Sequence, residues 1–280
     1  MSGIYSVARA ARLLFKRLRI GLAFIFITLS STQVYAACTV NGANYKTITG
    51  SGTKITRNQM LAWTSGDVST CDVTDSSLND MSDLFKNKTS FNQDLSAWDT
   101  SNVTNMGSMF FGASSLTSVS LPQTGAVTSM RSMFKGATNL TSVSLPTTGA
   151  VTDMAFMFSE ATSLTSVSLP QTGAVTNMNA MFAGATRLTT VSLSTTGAVT
   201  NMDWMFFAAT SFAQDIRAWD VSSVSSFGNM FNGATAMIAA YSSTPNWNIT
   251  PTAAWFIPPD TTAPTIASTS INTANTELTV

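Results

Sequence analysis

The sequence predicts an α/β solenoid: a stack of about seven strand–turn–short-helix coils with an N-terminal and a C-terminal cap. Three observations carry this reading. A 24-residue unit recurs through the middle of the chain, as VTSMRSMFKGATNLTSVSLPTTGA, VTDMAFMFSEATSLTSVSLPQTGA and VTNMNAMFAGATRLTTVSLSTTGA. Its anchor methionine falls at Met81, Met106, Met130, Met154, Met178 and Met202, with Phe227 in the seventh copy, at steps of 24 or 25 residues. Within each unit, an apolar stripe at helical spacing precedes a segment that alternates with period two. A fixed period in this range marks stacked coils, each touching only its neighbours.

The first element of a unit is the short helix. In the copy starting at Val127, Met130, Met133, Phe134 and Ala137 stand at i, i+3, i+4 and i+7, one face of a helix. Thr128 or Ser129 can cap its start and Gly136 can end it. The strand follows. Leu140, Val143 and Leu145 are separated by Ser142 and Ser144, which gives one apolar and one hydroxyl face and matches the L-x-x-L-x-L core of leucine-rich repeats. Pro146 and Gly149 then turn the chain into the next valine. Stacked copies place the strands in a parallel sheet.

Residues 1–37 read as a signal peptide. Arg9, Arg12, Lys16, Arg17 and Arg19 are followed by the apolar run Ile20 to Leu29 and by Val34-Tyr35-Ala36, with a cut expected after Ala36. The rival readings are an uncleaved N-terminal anchor and a lipoprotein signal ahead of Cys38. Tyr35 stands where lipoprotein signals usually carry leucine. The whole chain has 14 basic and 14 acidic residues. Removing the five basic residues leaves 9 against 14, a net charge of −5, so no basic patch remains for nucleic acid. No other stretch is long enough to span a membrane.

Residues 38–78 are expected to form the N-terminal cap, 79–235 the solenoid and 236–257 the C-terminal cap, with Tyr241, Trp247, Trp255 and Phe256 over the last coil. Cys38 and Cys71 are expected to form a disulfide in an oxidising compartment. The rival is a lipidated Cys38 with Cys71 free. From Pro258 a Pro/Thr-rich linker runs to residue 280, and D-T-T-A-P-T-I at 260–266 resembles the opening of a bacterial immunoglobulin-like module.

The outer copies carry a longer signature. Phe91-Asn92-Gln93-Asp94-Leu95-Ser96-Ala97-Trp98-Asp99-Thr100-Ser101 leads through Val103 and Met106 to Met109-Phe110 and Ala113. Phe212, Asp215, Ile216, Trp219, Asp220, Val221, Ser222, Val224, Met230, Phe231 and Ala234 repeat it. From Met81 to Ala234 the chain resembles the bacterial surface-protein repeat family related to BspA-type leucine-rich repeats. The resemblance implies a secreted or surface-attached protein with a role in adhesion or protein binding, and no shared enzymatic activity. The middle copies depart from the signature, with T-S-V-S-L-P-x-T-G-A in place of the W-D segment.

Catalytic chemistry finds little support. The chain has no histidine, no G-x-x-x-x-G-K-[ST] loop and no G-x-G-x-x-G. No cofactor or metal is expected. Asp94 with Asp99, and Asp215 with Asp220, read as turn caps, with calcium between coils as the rival. The 15 methionines read as core filler.

Two recurrent surfaces remain for a partner. One is the hydroxyl face at Ser118, Ser120, Ser142, Ser144, Ser166 and Ser168, continued by Thr190 and Ser192; its plain reading is a solvated strand face. The other holds Phe156 and Trp204, which fall off the Met/Phe stripe and so are candidates for exposed binding aromatics, or else are partly buried against a neighbouring helix. The expected function is binding of a protein or glycan on another cell or matrix. The alternatives are a structural spacer in a larger surface protein and, remotely, ice binding through the Ser/Thr ladder.

Overall fold

A column of phenylalanines sets the spacing of the coils. In the computed structural model, which describes residues 37–256 together with 270–271 and 278–279, Phe85, Phe110, Phe134, Phe158, Phe182, Phe206 and Phe231 stack face to face. Their ring centroids are 5.6, 5.6, 5.5, 5.7, 5.5 and 6.1 Å apart. All seven rings are fully buried. Beside them run the anchor methionines, with Val127, Ala137 and Leu140 and their equivalents in the middle copies, also at or near zero exposure. The expected cut after Ala36 and most of the 258–280 segment lie outside the described residues.

The coils contain no α-helix, and this corrects the short-helix element of the predicted unit. The segment after each anchor methionine is a run of tight turns. Met109, Phe111 and Ala113 donate their N–H groups three residues back, to Met106, Ser108 and Phe110. The alternate N–H groups of Met106, Ser108, Phe110 and Gly112 donate instead to Ser129, Arg131, Met133 and Lys135 of the next coil. The reason is spatial. Helices pack with their axes about 8–10 Å apart, whereas this side of the coil advances by only 5.5–5.7 Å through the middle copies. The stripe at i, i+3, i+4 and i+7 still faces the core, because turns repeating every four residues leave the same positions buried.

Those turns require a left-handed residue twice per coil. The first such column is Asp83, Ser108, Ser132, Phe156, Ala180, Trp204 and Asn229; the second is Asn87, Gly112, Gly136, Glu160, Gly184, Ala208 and Gly233. Gly136, at φ 70°, thus turns the chain rather than ending a helix.

On the strand side, β3 (Ser118–Ser120) pairs in parallel with β4 (Ser142–Ser144), and β5 (Ser166–Leu169) with β6 (Thr190–Leu193). The sheet is therefore two separate pairs rather than one continuous ladder. The second pair is longer because Ser194 stands where the earlier copies have proline, and its N–H donates to the Leu169 carbonyl at 3.3 Å. Continuity is carried elsewhere, by a line of parallel bridges through Asp80, Asn105, Ser129, Asp153, Asn177, Asn201 and Ser226.

A buried threonine locks the third corner. Thr100, Thr124, Thr148, Thr172 and Thr196 are at most 3% exposed. Each donates its hydroxyl to a backbone carbonyl of the following coil, at 2.6–2.7 Å: Gln123, Thr147, Gln171, Thr195 and Asp220 in turn. Buried hydroxyls satisfied in this way contribute about 1 kcal/mol each.

Before the stack, β1 (Cys38–Val40) and β2 (Ala43–Tyr45) form an antiparallel hairpin, followed by α1 (Arg57–Leu61). Cys38 and Cys71 are joined by a disulfide, with Cα atoms 4.7 Å apart. Trp63 sets its ring edge against Phe85 and Phe91, at 6.0 and 5.3 Å. After the stack comes α2 (Thr235–Tyr241). Trp247 stacks on Phe231 at 5.3 Å, and Trp255 meets it edge-on at 5.5 Å. In the tail, β7 (Ser270–Ile271) and β8 (Leu278–Thr279) pair antiparallel.

The two outer copies use their extra residues at strand edges. Gln93 accepts from the Val68 N–H and donates to the Gly66 carbonyl, both at 2.7 Å. Asn92 accepts from the Thr117 N–H at 3.0 Å, ahead of β3. Gln214 makes the equivalent two bonds to Val191, inside β6.

Candidate functional site

Of the residues singled out in the sequence, four serines come together. Ser118 lies opposite Ser142, and Ser120 opposite Ser144. With Asn92, Gln93 and Asp94 overhanging them, they line an open depression of 490 Å³. Ser166 and Ser168 are exposed on the second strand pair, opposite Thr190 and Ser192. The hydroxyl face is thus split in two, with Asn92, Gln93 and Asp94 of one longer coil bordering the first half and Gln214 of the other bonded to β6 in the second.

Phe156 and Trp204 occupy the first left-handed column, at φ 59° and 60°. A bulky side chain there is a steric outlier costing on the order of 1–2 kcal/mol. The same column accepts Ser132 and Ala180 in adjacent copies, so the fold does not demand an aromatic. Trp204 is 41% exposed, and Phe156 is half-buried. The Trp204 indole tilts against Phe207, with centroids 4.9 Å apart. Phe156 carries two cations on its ring: the Arg131 guanidinium at 5.2 Å and the Lys135 Nζ at 5.4 Å.

The structure adds partners that sequence reasoning missed. Lys135 Nζ also lies 5.8 Å from the Phe111 ring, and Lys86 Nζ, from the preceding coil, 5.6 Å from it. Lys86, Phe111, Lys135 and Phe156 therefore alternate along one face. The available signal was the doubled phenylalanine in Met109-Phe110-Phe111 and Met205-Phe206-Phe207, whose second ring falls outside the core stripe. Between Phe156 and Trp204 the alternation breaks. Ala180, Ala183 and the buried Ser159 line a slot of 330 Å³, together with Lys135, Glu160 and Asn179. Lys135 Nζ and the exposed Glu160 carboxylate are 3.7 Å apart at its edge.

The aspartates take the turn-capping role. Asp94, Asp99, Asp215 and Asp220 accept the N–H of Ser96, Ser101, Arg217 and Ser222, two residues on, at 2.9–3.1 Å. The Ser96 N–H and hydroxyl hold the Asp94 carboxyl below its ordinary range, and the Arg217 side chain does so for Asp215. Among the described residues, no three acidic or cysteine side chains are grouped to hold a metal ion, and no helix is long and apolar enough to cross a membrane.

The chain belongs to the family described as Mycoplasma protein of unknown function, DUF285, which matches residues 57–168 and again residues 152–257. No curated protein matches it in sequence. Among solved structures it is similar to a leucine-rich repeat protein from Eubacterium ventriosum, with 20% identity and a TM-score of 0.40, over 50% of this chain and 37% of that one. It is also similar to the functional domain of InlJ from Listeria monocytogenes, with 16% identity and a TM-score of 0.34, over 62% of this chain and 36% of that one. The chain spans well under half the length of either protein.

Proposed function

We propose that this DUF285 chain is an exported bacterial surface protein that binds a protein or glycan of another cell or matrix through its solenoid face. The observation that carries the reading is the placement of Phe156 and Trp204. Each is held in a backbone conformation that disfavours it, at a column where the neighbouring copies carry serine or alanine. Trp204 keeps 41% of its surface exposed. Exposed aromatics held in place by the backbone are the usual anchors of interfaces.

The coil pattern supports grouping the chain with the BspA-type repeats, as about seven coils. The aromatic contacts of Trp63 at one end, and of Trp247 and Trp255 at the other, support residues 38–78 and 236–257 as caps. Export by residues 1–37 places the disulfide in an oxidising compartment. A spacer role is the second reading, favoured by the linker-like composition of residues 258–280.

The test is binding of the purified chain to arrayed glycans and cell-surface proteins, beside a Phe156→Ala, Trp204→Ala double variant. A specific ligand lost in the double variant, with folding retained, supports binding through this face. Absence of any ligand favours the spacer, and binding unaffected by the variant moves the site elsewhere.

A further inference from the structure

We infer that the slot between Phe156 and Trp204 receives the cationic head of a lysine or arginine side chain from a partner protein; this rests on the binding role proposed above. The fold itself displays the occupied form of such a site. Phe111 and Phe156 belong to coils two steps apart, and Lys135 of the intervening coil places its Nζ 5.8 Å from one ring and 5.4 Å from the other. Phe156 and Trp204 are likewise two coils apart. The phenylalanine column advances 5.7 and 5.5 Å over that interval, so they start about 11 Å apart along the stack, nearly twice the range over which a ring face holds a cation. Here the intervening coil supplies Ala180 and Ala183, which leave the interval open.

The electrostatics complete the match. Glu160, beside the slot, has a side chain 61% exposed and only a loose 3.7 Å contact to Lys135. An incoming guanidinium or ammonium would gain that carboxylate as well as two ring faces. Two like charges lie near: Lys135, which lines the slot but is drawn toward Phe111 and Phe156, and Arg131, whose guanidinium sits 5.2 Å from the Phe156 ring. The carbons of the incoming stem would lie along the two alanines. The net charge of −5 outside residues 1–37 favours approach of a basic partner.

The test uses the full chain labelled with 5-fluorotryptophan, the Trp204 resonance being assigned with Trp204→Phe. N-acetyl-arginine methylamide, its uncharged citrulline counterpart and a methyl glucoside are titrated in parallel. The expected result is a saturable Trp204 shift with the arginine probe, at least fivefold weaker with citrulline. Glu160→Gln should weaken binding severalfold, and Lys135→Met, which removes a like charge, should tighten it. Equal response to arginine and citrulline, a response to the glucoside alone, or no saturable response to any probe would overturn the assignment. Loss of array binding in the Phe156→Ala, Trp204→Ala variant would still stand in each of those cases, so the two readings fail separately.

Discussion

Gln214 bonds twice to a single residue of the preceding coil. Its Nε2 donates to the Val191 carbonyl at 3.0 Å, and its Oε1 accepts from the Val191 N–H at 2.7 Å. One amide side chain thereby occupies both backbone groups of Val191 that a further strand after β6 would use. Unpaired strand edges invite pairing with other chains. Gln214→Ala should therefore lower stability by about 1–2 kcal/mol and permit self-association that rises with protein concentration. Sedimentation velocity over a hundredfold concentration range checks it, and a variant that stays monomeric would refute the edge-covering role.

The phenylalanine column predicts a large packing loss. Phe158 is fully buried between Phe134 and Phe182. Phe158→Ala should cost about 3–5 kcal/mol, and Phe158→Leu clearly less. Met130→Asp should unfold several coils, because it places a carboxylate in the dry core. Chemical denaturation followed by tryptophan fluorescence separates these outcomes.

At Trp204, backbone conformation makes glycine the better small replacement. With φ at 60°, Trp204→Gly should be more stable than Trp204→Ala by about 1 kcal/mol. In a helix the order would be reversed. Paired thermal melts decide it, and Phe156 offers the same comparison at φ 59°.

The acid limb of stability should run through Asp72. Burial raises its pKa, but hydrogen bonds from Lys46 Nζ and Thr74 outweigh that and lower it from 3.8 to about 2. A depressed carboxyl contributes stability that is fully present above its unfolded value and lost as pH falls through the folded one. The loss should thus develop between pH 3.8 and about 2. It amounts to about 1–2 kcal/mol once screening is discounted. Asp72→Asn should be less stable than the native chain at pH 7, with the difference shrinking toward pH 2.

Reduction of Cys38–Cys71 releases a loop of 33 residues, and the chain-entropy argument assigns it about 3–4 kcal/mol. The loss should appear first between residues 38 and 71, as faster hydrogen exchange in β1 and β2, while the middle copies keep their protection.

Much of the coil was legible because its signal is repetitive. The buried positions Met130, Met133, Phe134, Ala137 and Leu140 follow from spacing alone, and so does the alternation of Val119 between Ser118 and Ser120. The helix was not legible as an error. Period-four turns and a short helix bury the same residues, and only the distance to the next coil separates them. The threonine of each T-G-A corner repeats visibly, but a buried hydroxyl cannot be told from a turn-forming one until Thr148 is seen to reach the Gln171 carbonyl. At the candidate site, Phe156 and Trp204 stood out as breaks in a pattern. The cations between the rings did not, because Lys135 reads as an ordinary surface lysine until Phe111 and Phe156 are placed on either side of it.

The alternating N–H groups of the turn column carry a mechanical consequence. Every second amide from Met106 to Gly112 is anchored in the next coil rather than in its own, so tension applied at one end loads one interface at a time. The chain should peel coil by coil, each event releasing 24 residues, or about 80 Å of slack. A protein drawn taut between two surfaces would then yield in steps of nearly equal length and dissipate force as it lengthens.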